Sequence, residues 1–346
     1  MLGNVGGIKM NEACDISIII AVYNHACYIR KAIDSVLMQK TKYSYEVLIG
    51  EDCSTDSSRE VLKSMEHELP SNFYIFYREH NYGAKRNFED LYMRMNGKYY
   101  IVLEGDDYWT YEYKLQEECD FLEKHPEYLA VAHNTMVVGI DNQPIPFSYP
   151  ECHKNEYDIS DFVKGKLPGQ TTTILSRNYY KFRNIDYALD VQGAMPGDRV
   201  RAFLLAANGK VYCIQQKWSA YRFVPYTGNS FSATNVIKKG QMLCFVRYLF
   251  GYVQNHDVTP KVKREIEKMY AWYLFRAILK ESDMLESREI ELFFEKGCHY
   301  GLDVLYILFK IGAFPYVKLT SLMQTKKNRR EKERIISLLE REKDAK

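Results

Sequence analysis

The sequence predicts an α/β protein whose mixed, mostly parallel sheet is flanked by helices and followed by an all-helical C-terminal region. Short β-branched runs such as Ile16–Val22 are typical of strands buried on both faces of a parallel sheet. They alternate with stretches such as Tyr28–Leu37, where apolar residues recur three and four positions apart, as on one face of a helix. This alternation, with short loops, indicates a doubly wound sheet. After about residue 234 only helical spacing remains, which indicates the helical region.

Further elements are expected where apolar runs end at turn or capping residues. Strands are expected at Tyr45–Gly50, Phe73–Tyr77, Lys98–Leu103, Leu129–Val138, Thr171–Leu175 and Lys210–Gln216. Helices are expected after Ser57 and at Arg86–Met95, Leu115–Leu122 and Arg199–Ala207. Asn24 is a predicted N-cap, Ser57 and Glu60 form a capping-box pattern, and Gly97 is a predicted helix end. Four prolines between Gln143 and Gly169 predict an irregular connection. We therefore divide the chain into a tail (1–14), an α/β domain (15–233) and a helical region (234–346).

The composition indicates a globular protein in a reducing compartment. Apolar residues make up 46% of the 346 residues, and a net charge of +2 gives no basic surplus for binding nucleic acid. None of the eight cysteines forms a CxxC pair, so free thiols are expected. Residues 1–14 lack the apolar stretch of a signal peptide, and no run of about 18 apolar residues predicts a membrane span. The expected location is the cytoplasm.

Acidic side chains follow two of the predicted strands. The second strand is followed by Glu51 and Asp52, and the fourth by Glu104-Gly105-Asp106-Asp107. Each group alone could be ordinary turn chemistry, as we expect for Asp141-Asn142 after the fifth strand. Both groups would, however, lie at one edge of the sheet, and carboxylates gathered in one place are best tolerated around a cation. Mg²⁺ or Mn²⁺ with a diphosphate ligand would suit such a site.

Three common active-site motifs are missing. No GxGxxG follows the first strand, and the sequence contains neither GxxxxGK[ST] nor GxSxG. A dinucleotide site, a P-loop and a hydrolase nucleophile elbow are therefore not predicted.

Several segments, in this order, resemble the inverting glycosyltransferases of family 2, which have the GT-A fold with a Rossmann-like sheet. The matching segments are Ile18–Asn24, Val47–Asp56, Asn81–Asn87, Leu103–Trp109, Pro196–Asp198 and Tyr221–Arg222. Ala21 replaces the usual Pro, and Glu104 replaces the first Asp of the metal-binding motif. The usual His after Tyr-Arg is missing, with Val224 or Pro225 nearby. The resemblance covers about residues 15–233 and does not identify the sugar.

The resemblance implies a role for each matching residue. The nucleotide-sugar would be bound by Ala21, Tyr23, Asn24, Glu51, Asp52, Asn81, Gly83, Arg86, Glu104 and Gly105. Asp106 and Glu104 would hold Mn²⁺ or Mg²⁺, with support from Asp107, Trp109 and Arg222. Asp198 would be the general base that activates an acceptor hydroxyl. Structural alternatives stay open: packing for Tyr23, a loop cap for Asp52, a solvated helix position for Arg86 and a helix N-cap for Asp198.

The expected function is transfer of a hexosyl group from a nucleotide-sugar, with UDP as the commonest nucleotide of the family, to a glycan or lipid-linked hydroxyl. Polysaccharide or cell-surface glycan synthesis is the expected setting. The alternative is a catalytically degenerate scaffold of a glycan assembly complex. Residues 318–346 carry ten Lys or Arg against five Asp or Glu, so the predicted helix Lys326–Lys346 is either a solvated face or a contact with the inner face of the membrane.

Overall fold

A computed structural model of the chain describes residues 14–147, 149–178, 197–223, 240–280 and 284–297. These residues fall into two compact units. The first contains residues 14–144, 149–178 and 197–223, and the second contains residues 145–147, 240–280 and 284–297. The predicted domain boundary near residue 233 lies outside the described residues and stays a prediction.

Among the described residues, the first unit forms one mixed sheet of nine strands. The strands are β1 (Ile16–Val22), β2 (Tyr45–Glu51), β3 (Phe73–Tyr77), β4 (Tyr99–Glu104), β5 (Tyr108–Trp109), β6 (Tyr128–Val138), β7 (Glu156–Tyr157), β8 (Leu175–Arg177) and β9 (Lys210–Arg222). Their order is β3–β2–β1–β4–β8–β6–β9–β5, and β7 pairs with β9. The long pairings are parallel, and the short strands β5, β7 and β8 pair antiparallel. The predicted mixed, mostly parallel sheet is confirmed.

Helices flank this sheet and form the described part of the second unit after residue 240. In the first unit they are α1 (Ile29–Leu37), α2 (Ser58–Met65), α3 (Ala84–Arg94), α4 (Lys114–Lys124), α5 (Ile159–Val163) and α6 (Gly197–Asn208). In the second unit they are α7 (Gln241–Asn255), α8 (Pro260–Lys280) and α9 (Ser287–Gly297). No helix in the described ranges combines the length and apolar character needed to span a membrane. The predicted basic helix at 326–346 lies outside the described residues.

The apolar run of β1 is buried because helices cover both faces of the sheet. Ile18 and Ile20 pack into a core that includes residues of α1, α2 and α4, whereas Ile19 packs on the other face with Leu91 of α3. All three isoleucines are fully buried. Each contributes about 1.5–3 kcal/mol relative to an exposed side chain. This two-sided burial explains why the first strand reads as a continuous apolar run.

Three predicted capping signals are wrong, and for Asn24 and Gly97 contacts outside the helices account for the residue. Asn24 is not an N-cap, since α1 begins five residues later after Tyr28, which makes no side-chain capping bond. Ser57 precedes α2 without a capping hydrogen bond. Gly97 is not among the glycines with positive φ, and a side chain there would meet the backbone of the neighbouring β1 and β4. Close backbone packing therefore accounts for this glycine.

The segment between β6 and α6 contains more structure than predicted. Thr171–Thr173 is a 3₁₀ turn, so the strand expected at Thr171–Leu175 is wrong except at its end, where β8 begins. The irregular connection also contains β7 and α5, which Asp158 caps through a complete capping box. The 3₁₀ turn begins after Gln170, whose side chain accepts a hydrogen bond from Thr172 N–H.

Glu151, in this connection, is expected to make stability depend on pH. Burial raises its pKa from 4.5 to about 7, although the N–H of Thr135 and two lysines oppose the rise. The folded state thus favours the protonated form, so the stability this group contributes is present below its unfolded pKa and is lost as pH rises through about 7. Glu151→Gln should flatten the stability profile by roughly 2 kcal/mol between about pH 5 and pH 8. Urea unfolding across this range measures the effect, and an unchanged profile would contradict it. The exposed Glu60→Gln is the control.

Candidate active site

The carboxyl ends of β1, β2 and β4 lie side by side at one edge of the sheet. Ala21 is level with Gly50 on one side and with Glu104 on the other. Val22, the last residue of β1, is level with Glu51. The loops that follow these strands are therefore neighbours, at the edge where ligands bind in open α/β sheets.

Asn24 joins the loop after β1 to the loop after β2. Its backbone is left-handed, with φ of 59°. Its Oδ1 accepts hydrogen bonds from the N–H of Thr55 at 2.8 Å and of Asp56 at 3.3 Å, and its own N–H donates to Ser54 Oγ at 3.1 Å. Asn24 thus fixes the shape of this edge beside the partly buried Tyr23.

The two acidic residues after β2 have different surroundings. Glu51 is fully buried, pairs with Arg59 at 2.5 Å and accepts the N–H of Ser54 at 2.6 Å, so its carboxylate is occupied in holding the loop. Asp52 accepts the N–H of Tyr82 at 2.7 Å through Oδ1. Burial raises the pKa of Asp52, and N–H groups from the loop before α3 oppose the rise. Asp52 is therefore the better candidate for contact with a ligand.

The contact with Asp52 brings the loop before α3 to this edge. Asn81 Oδ1 accepts the N–H of Gly83 at 2.8 Å, and Gly83 precedes α3 with φ of 78°. A positive φ favours glycine at this position. Arg86 lies exposed in the first turn of α3. The structure therefore brings Asn81 and Gly83 next to Asp52 and leaves the Arg86 side chain at the surface.

Residues 104–107, at the end of β4 and just after it, form an acidic loop. Polar contacts from distant parts of the chain hold this loop in place. Gln170 Nε2 donates to Glu104 Oε2 at 2.8 Å and to Asp107 Oδ2 at 2.9 Å. Asp107 also accepts the hydroxyl of Thr172 at 2.9 Å and the N–H of Arg222 at 2.8 Å. Because Asp107 is only 1% exposed and has three donors, it supports the loop from within.

Burial and neighbouring carboxylates raise the pKa values of Glu104 and Asp107 at this edge. Burial, followed by the charges of Asp106 and Asp198, raises the pKa of Glu104 to about 8. Burial, followed by the charges of Asp106 and Glu104, raises the pKa of Asp107 well above its usual range. Glu104 is therefore close enough to Asp106 and to Asp198 to interact with both, although Asp198 lies in α6, far along the chain.

Asp198 lies in the first turn of α6 with two tyrosines nearby. Its Oδ1 accepts the N–H of Arg199 at 2.7 Å, and the hydroxyl of Tyr149 donates to Oδ2 at 3.3 Å. The Tyr149 ring meets the Tyr221 ring edge to face at 5.5 Å between centroids. Burial raises the pKa of Asp198, and the Arg199 charge is the largest opposing influence. A partly buried carboxylate with raised pKa beside aromatic rings has the properties of a general base.

Two residues assigned a supporting role are parts of the framework. The guanidinium of Arg222 donates to the backbone oxygen of Asp106 at 2.9 Å and to Asn142 Oδ1 at 2.7 Å, so it fastens the acidic loop to the turn after β6. Trp109 is 1% exposed in the core, and its indole N–H donates to the backbone oxygen of Thr172 at 3.0 Å. Both residues act on the site through the loops that they hold.

Gly105 allows the acidic loop to lie against the loop after β1. A Cβ at residue 105 would stand 2.5 Å from His25 Nδ1 and 3.1 Å from the backbone oxygen of Ala21. His25 Nδ1 is buried without a hydrogen-bond partner, so its ring is in close contact with the loop. Glycine is therefore required for space at this position.

Gly105→Ala is expected to weaken binding of a nucleoside diphosphate by about tenfold, since the new methyl group must displace His25 or the acidic loop. Calorimetry with UDP and Mn²⁺ measures the change. Gly251→Ala in α7 is the matched control because nothing lies within 4 Å of the added Cβ, and it should bind as the parent protein does. Equal affinities for the parent protein and Gly105→Ala would show that the contact is not required.

Sequence reasoning missed four residues of this edge: His25, Tyr149, Gln170 and Thr172. Gln170 lies 66 residues from Glu104 along the chain, and Tyr149 lies 49 residues from Asp198. Tyr149 directly precedes Pro150 and Gln170 comes two residues after Pro168, in stretches without a periodic pattern from which the direction of a side chain could be predicted. His25 adjoins the recognised Tyr23-Asn24 turn, which was the available signal for it.

The residues present suit a divalent cation bound together with a phosphate ligand. Carboxylate oxygens are the ligands that Mg²⁺ and Mn²⁺ prefer, and a cation would offset the repulsion that Asp106 and Asp198 exert on the buried Glu104. Among the described residues no three His, Cys, Asp or Glu side chains are grouped closely enough to enclose a metal ion. Mg²⁺ commonly takes one or two carboxylates plus substrate phosphates, so the donor set here fits such an ion.

Comparison with known proteins shows the same type of domain. Residues 17–184 match the model of the family described as Glycosyl transferase family 2. An uncharacterized protein of Mycobacterium tuberculosis is 28% identical over 206 residues, which cover 60% of this chain and 58% of that protein. A Bacillus subtilis protein is named as a putative teichuronic acid biosynthesis glycosyltransferase. It is 28% identical over 163 residues, which cover 47% of this chain and 62% of that protein. The matches thus span about three fifths of these relatives' lengths.

Solved structures share the fold at low sequence identity. Residues 1–349 of TarS from Staphylococcus aureus in complex with UDP give a TM-score of 0.55 at 16% identity, covering 80% of this chain and 76% of that one. The same protein with UDP-GlcNAc gives 0.54 at 16% identity, covering 82% and 79%. These similarities, with the mixed sheet and its flanking helices, confirm the predicted GT-A fold.

The family match begins at β1 and includes the loops that carry Asp52, Glu104, Asp106 and Gln170. The segments from which the resemblance was inferred lie mostly within it. Residues 17–184 of this chain therefore form a glycosyltransferase family 2 domain.

Proposed function

We propose that this chain transfers a hexosyl group from a nucleoside diphosphate sugar, most simply a UDP-sugar, to a hydroxyl of a glycan or lipid-linked acceptor, with inversion at the sugar carbon. The observation that carries the proposal is that Asp106 and Asp198, from different parts of the chain, both come close enough to Glu104 for their charges to add to the effect of burial in raising its pKa. An acidic loop that accepts a cation–diphosphate complex and a separate carboxylate that accepts a proton are the two groups that such a transfer needs.

The nucleotide occupies the edge formed by the loops after β1 and β2. Asp52 accepts a hydrogen bond from the base, since Glu51 is committed to Arg59 and Ser54. Tyr23 packs against the base or ribose, and Asn24 keeps the two loops together. The residues at 81–86 close the nucleotide side, where Arg86 contributes a positive charge.

The diphosphate lies near the acidic loop after β4. Asp106 and Glu104 would hold Mg²⁺ or Mn²⁺, which supplies positive charge beside the leaving diphosphate when bound. The acidic loop is held in place by the hydrogen bonds of Asp107, Gln170 and Arg222 described above.

Asp198 removes the proton from the acceptor hydroxyl. The oxygen of that hydroxyl then attacks the anomeric carbon from the face opposite the diphosphate, forming the new glycosidic bond as the sugar–phosphate bond breaks. Tyr149 donates to Asp198 Oδ2 and so sets the direction of the carboxylate. General base catalysis of this kind contributes about 10²–10⁴-fold to the rate.

Cytoplasmic action at the inner face of the membrane, in polysaccharide or cell-surface glycan synthesis, fits a lipid-linked acceptor. The basic residues at 318–346 would supply the membrane contact. Absence of binding to anionic liposomes in a flotation assay would exclude this contact and leave the transfer reaction unaffected.

The test of the function is calorimetry with UDP, GDP and TDP, each with and without Mn²⁺. We expect metal-dependent binding of one nucleotide, which would also identify the donor class. Incubation with the corresponding nucleotide-sugars and NMR of the anomeric proton in the product would then report inversion. If no nucleoside diphosphate binds under any condition, the transferase proposal fails, and the degenerate scaffold becomes the better interpretation.

A further inference from the structure

Gln170 joins two carboxylates of the acidic loop through a single buried side chain. Its side chain is 2% exposed, and Nε2 donates one hydrogen to Glu104 Oε2 at 2.8 Å and the other to Asp107 Oδ2 at 2.9 Å. Its Oε1 accepts the N–H of Thr172 at 2.6 Å. A primary amide has two N–H donors, so both are used on the two carboxylates.

The orientation of this amide is determined by the backbone. Because Oε1 is held by Thr172 N–H at the start of the 3₁₀ turn, Nε2 must point toward the acidic loop. The reversed amide would turn an oxygen toward two carboxylates and would leave Thr172 N–H without its acceptor. Glu104 and Asp107 are therefore joined through one side chain whose position is set from a different part of the chain.

The amide is also electrically neutral. Arginine or lysine in its place would cancel the negative charge that a cation needs, and glutamate would add another carboxylate to a site where charges already repel. A neutral double donor fixes both oxygens and leaves their charge in place. Glu104 depends on this contact more than Asp107 does, since Asp107 has donors from Thr172 and Arg222 as well.

We propose that Gln170 is a positioning residue of the transfer reaction, which sets the spacing of Glu104 and Asp107 so that the acidic loop binds a divalent cation together with a nucleoside diphosphate. This inference rests on the proposed function. It also explains how the Glu104 side chain is kept in one position, since this side chain is one methylene longer than that of Asp and has one more rotatable bond to restrain. The bond to Gln170 supplies that restraint.

Two substitutions separate the positioning role from support of the turn. Gln170→Asn keeps an amide that can cap the 3₁₀ turn through Thr172 N–H but is too short by one methylene to reach the carboxylates. Gln170→Met keeps the length and loses all three hydrogen bonds. Gln39→Met is the matched control, because Gln39 is also buried and also makes three such bonds, from Nε2 to the backbone oxygens of Ser35 and Tyr111 and from Leu115 N–H to Oε1.

The measurement is calorimetry of the full chain with UDP, at increasing Mn²⁺ and without it, alongside thermal unfolding. We expect both Gln170 variants to bind UDP about tenfold or more weakly in the presence of Mn²⁺ and to need more Mn²⁺ for half-maximal binding. Metal-free UDP binding should change little. Gln39→Met should melt at a temperature close to that of Gln170→Met and bind UDP with Mn²⁺ as the parent protein does.

Three outcomes would overturn the inference. If Gln170→Asn binds UDP with Mn²⁺ as tightly as the parent protein, the amide only caps the turn. If Gln39→Met loses binding to the same extent, the effect is general destabilisation. If the parent protein itself binds no nucleoside diphosphate, the proposed function fails together with the inference, and that failure is recognisable because it precedes any substitution. Should Gln170→Met not fold, Gln170→Asn carries the test alone.

Discussion

Replacing Asp198 by asparagine is expected to lower the rate of sugar transfer by about 10²–10⁴-fold, with little change in affinity for the donor. Asparagine has the same size, its Oδ1 can still accept the N–H of Arg199, and its Nδ2 can donate to the hydroxyl oxygen of Tyr149, so the start of α6 should keep its geometry. It cannot take a proton from the acceptor hydroxyl at neutral pH. Steady-state kinetics with the donor identified by calorimetry, together with the Kd of its nucleotide, measure the two effects separately.

The alternative role for Asp198 is stabilisation of a helix N-terminus. Asp158 provides the matched control, since it caps α5 through a complete capping box. Asp158→Asn should leave the transfer rate unchanged, because asparagine is a good cap and residue 158 has no place in the reaction. A loss smaller than tenfold in Asp198→Asn, with a lower melting temperature, would assign Asp198 to helix stability and contradict the proposed base.

The pH profile of the parent enzyme gives independent evidence on the same group. Burial raises the pKa of Asp198, and a base must be ionised to act. The acidic limb of the transfer rate should therefore lie at higher pH than for an exposed aspartate, with activity lost as the pH falls through it. An Asp198→Asn enzyme should lack this limb in its residual activity.

The limits of β1 and β3 were predicted correctly, although β1 is buried and β3 is a half-buried edge strand, since turn residues bound an apolar run in both. Predictions were wrong where the local sequence indicated one structure but contacts with distant parts of the chain, or the backbone of a turn, determined another. Asn24 is a residue type that commonly caps helices, but here it holds the loop at residues 54–56. Thr171–Thr173 has the composition of a strand but forms a 3₁₀ turn.

The same distinction applies to the candidate site. Asp52, Glu104, Asp106 and Asp198 could be named because each follows a strand or begins a helix within a recognisable motif. Gln170 could not, because its function depends on contacts across 63 and 66 residues of sequence. Periodicity and motifs predict the local structure around a residue, whereas a hydrogen bond between two loops forms only once the sheet has brought those loops together.

Asp106→Ala is expected to weaken Mn²⁺-dependent UDP binding by about 100-fold or more, since loss of even an outer partner of a metal ligand costs about 10–100-fold. Without Mn²⁺ the same variant should bind UDP as well as the parent protein or better, because a carboxylate that repels the diphosphate has been removed. Calorimetry at equal ionic strength, with Mn²⁺ or with EDTA, measures the affinity for UDP in the presence and in the absence of the metal. Asp141→Ala removes an exposed carboxylate from a turn after β6 and is the control.

The opposite effects of this one substitution distinguish a metal site from a structural loop. If Asp106 served only to shape the loop, its loss would weaken UDP binding to the same extent with Mn²⁺ and with EDTA. If its charge attracts the cation, the parent protein should show the larger dependence on Mn²⁺, and the affinities of parent and variant should approach each other or cross in EDTA. The repulsion of Glu104 by Asp106 and Asp198 favours the second result, since an anionic diphosphate approaches this edge more readily when a cation offsets the carboxylates.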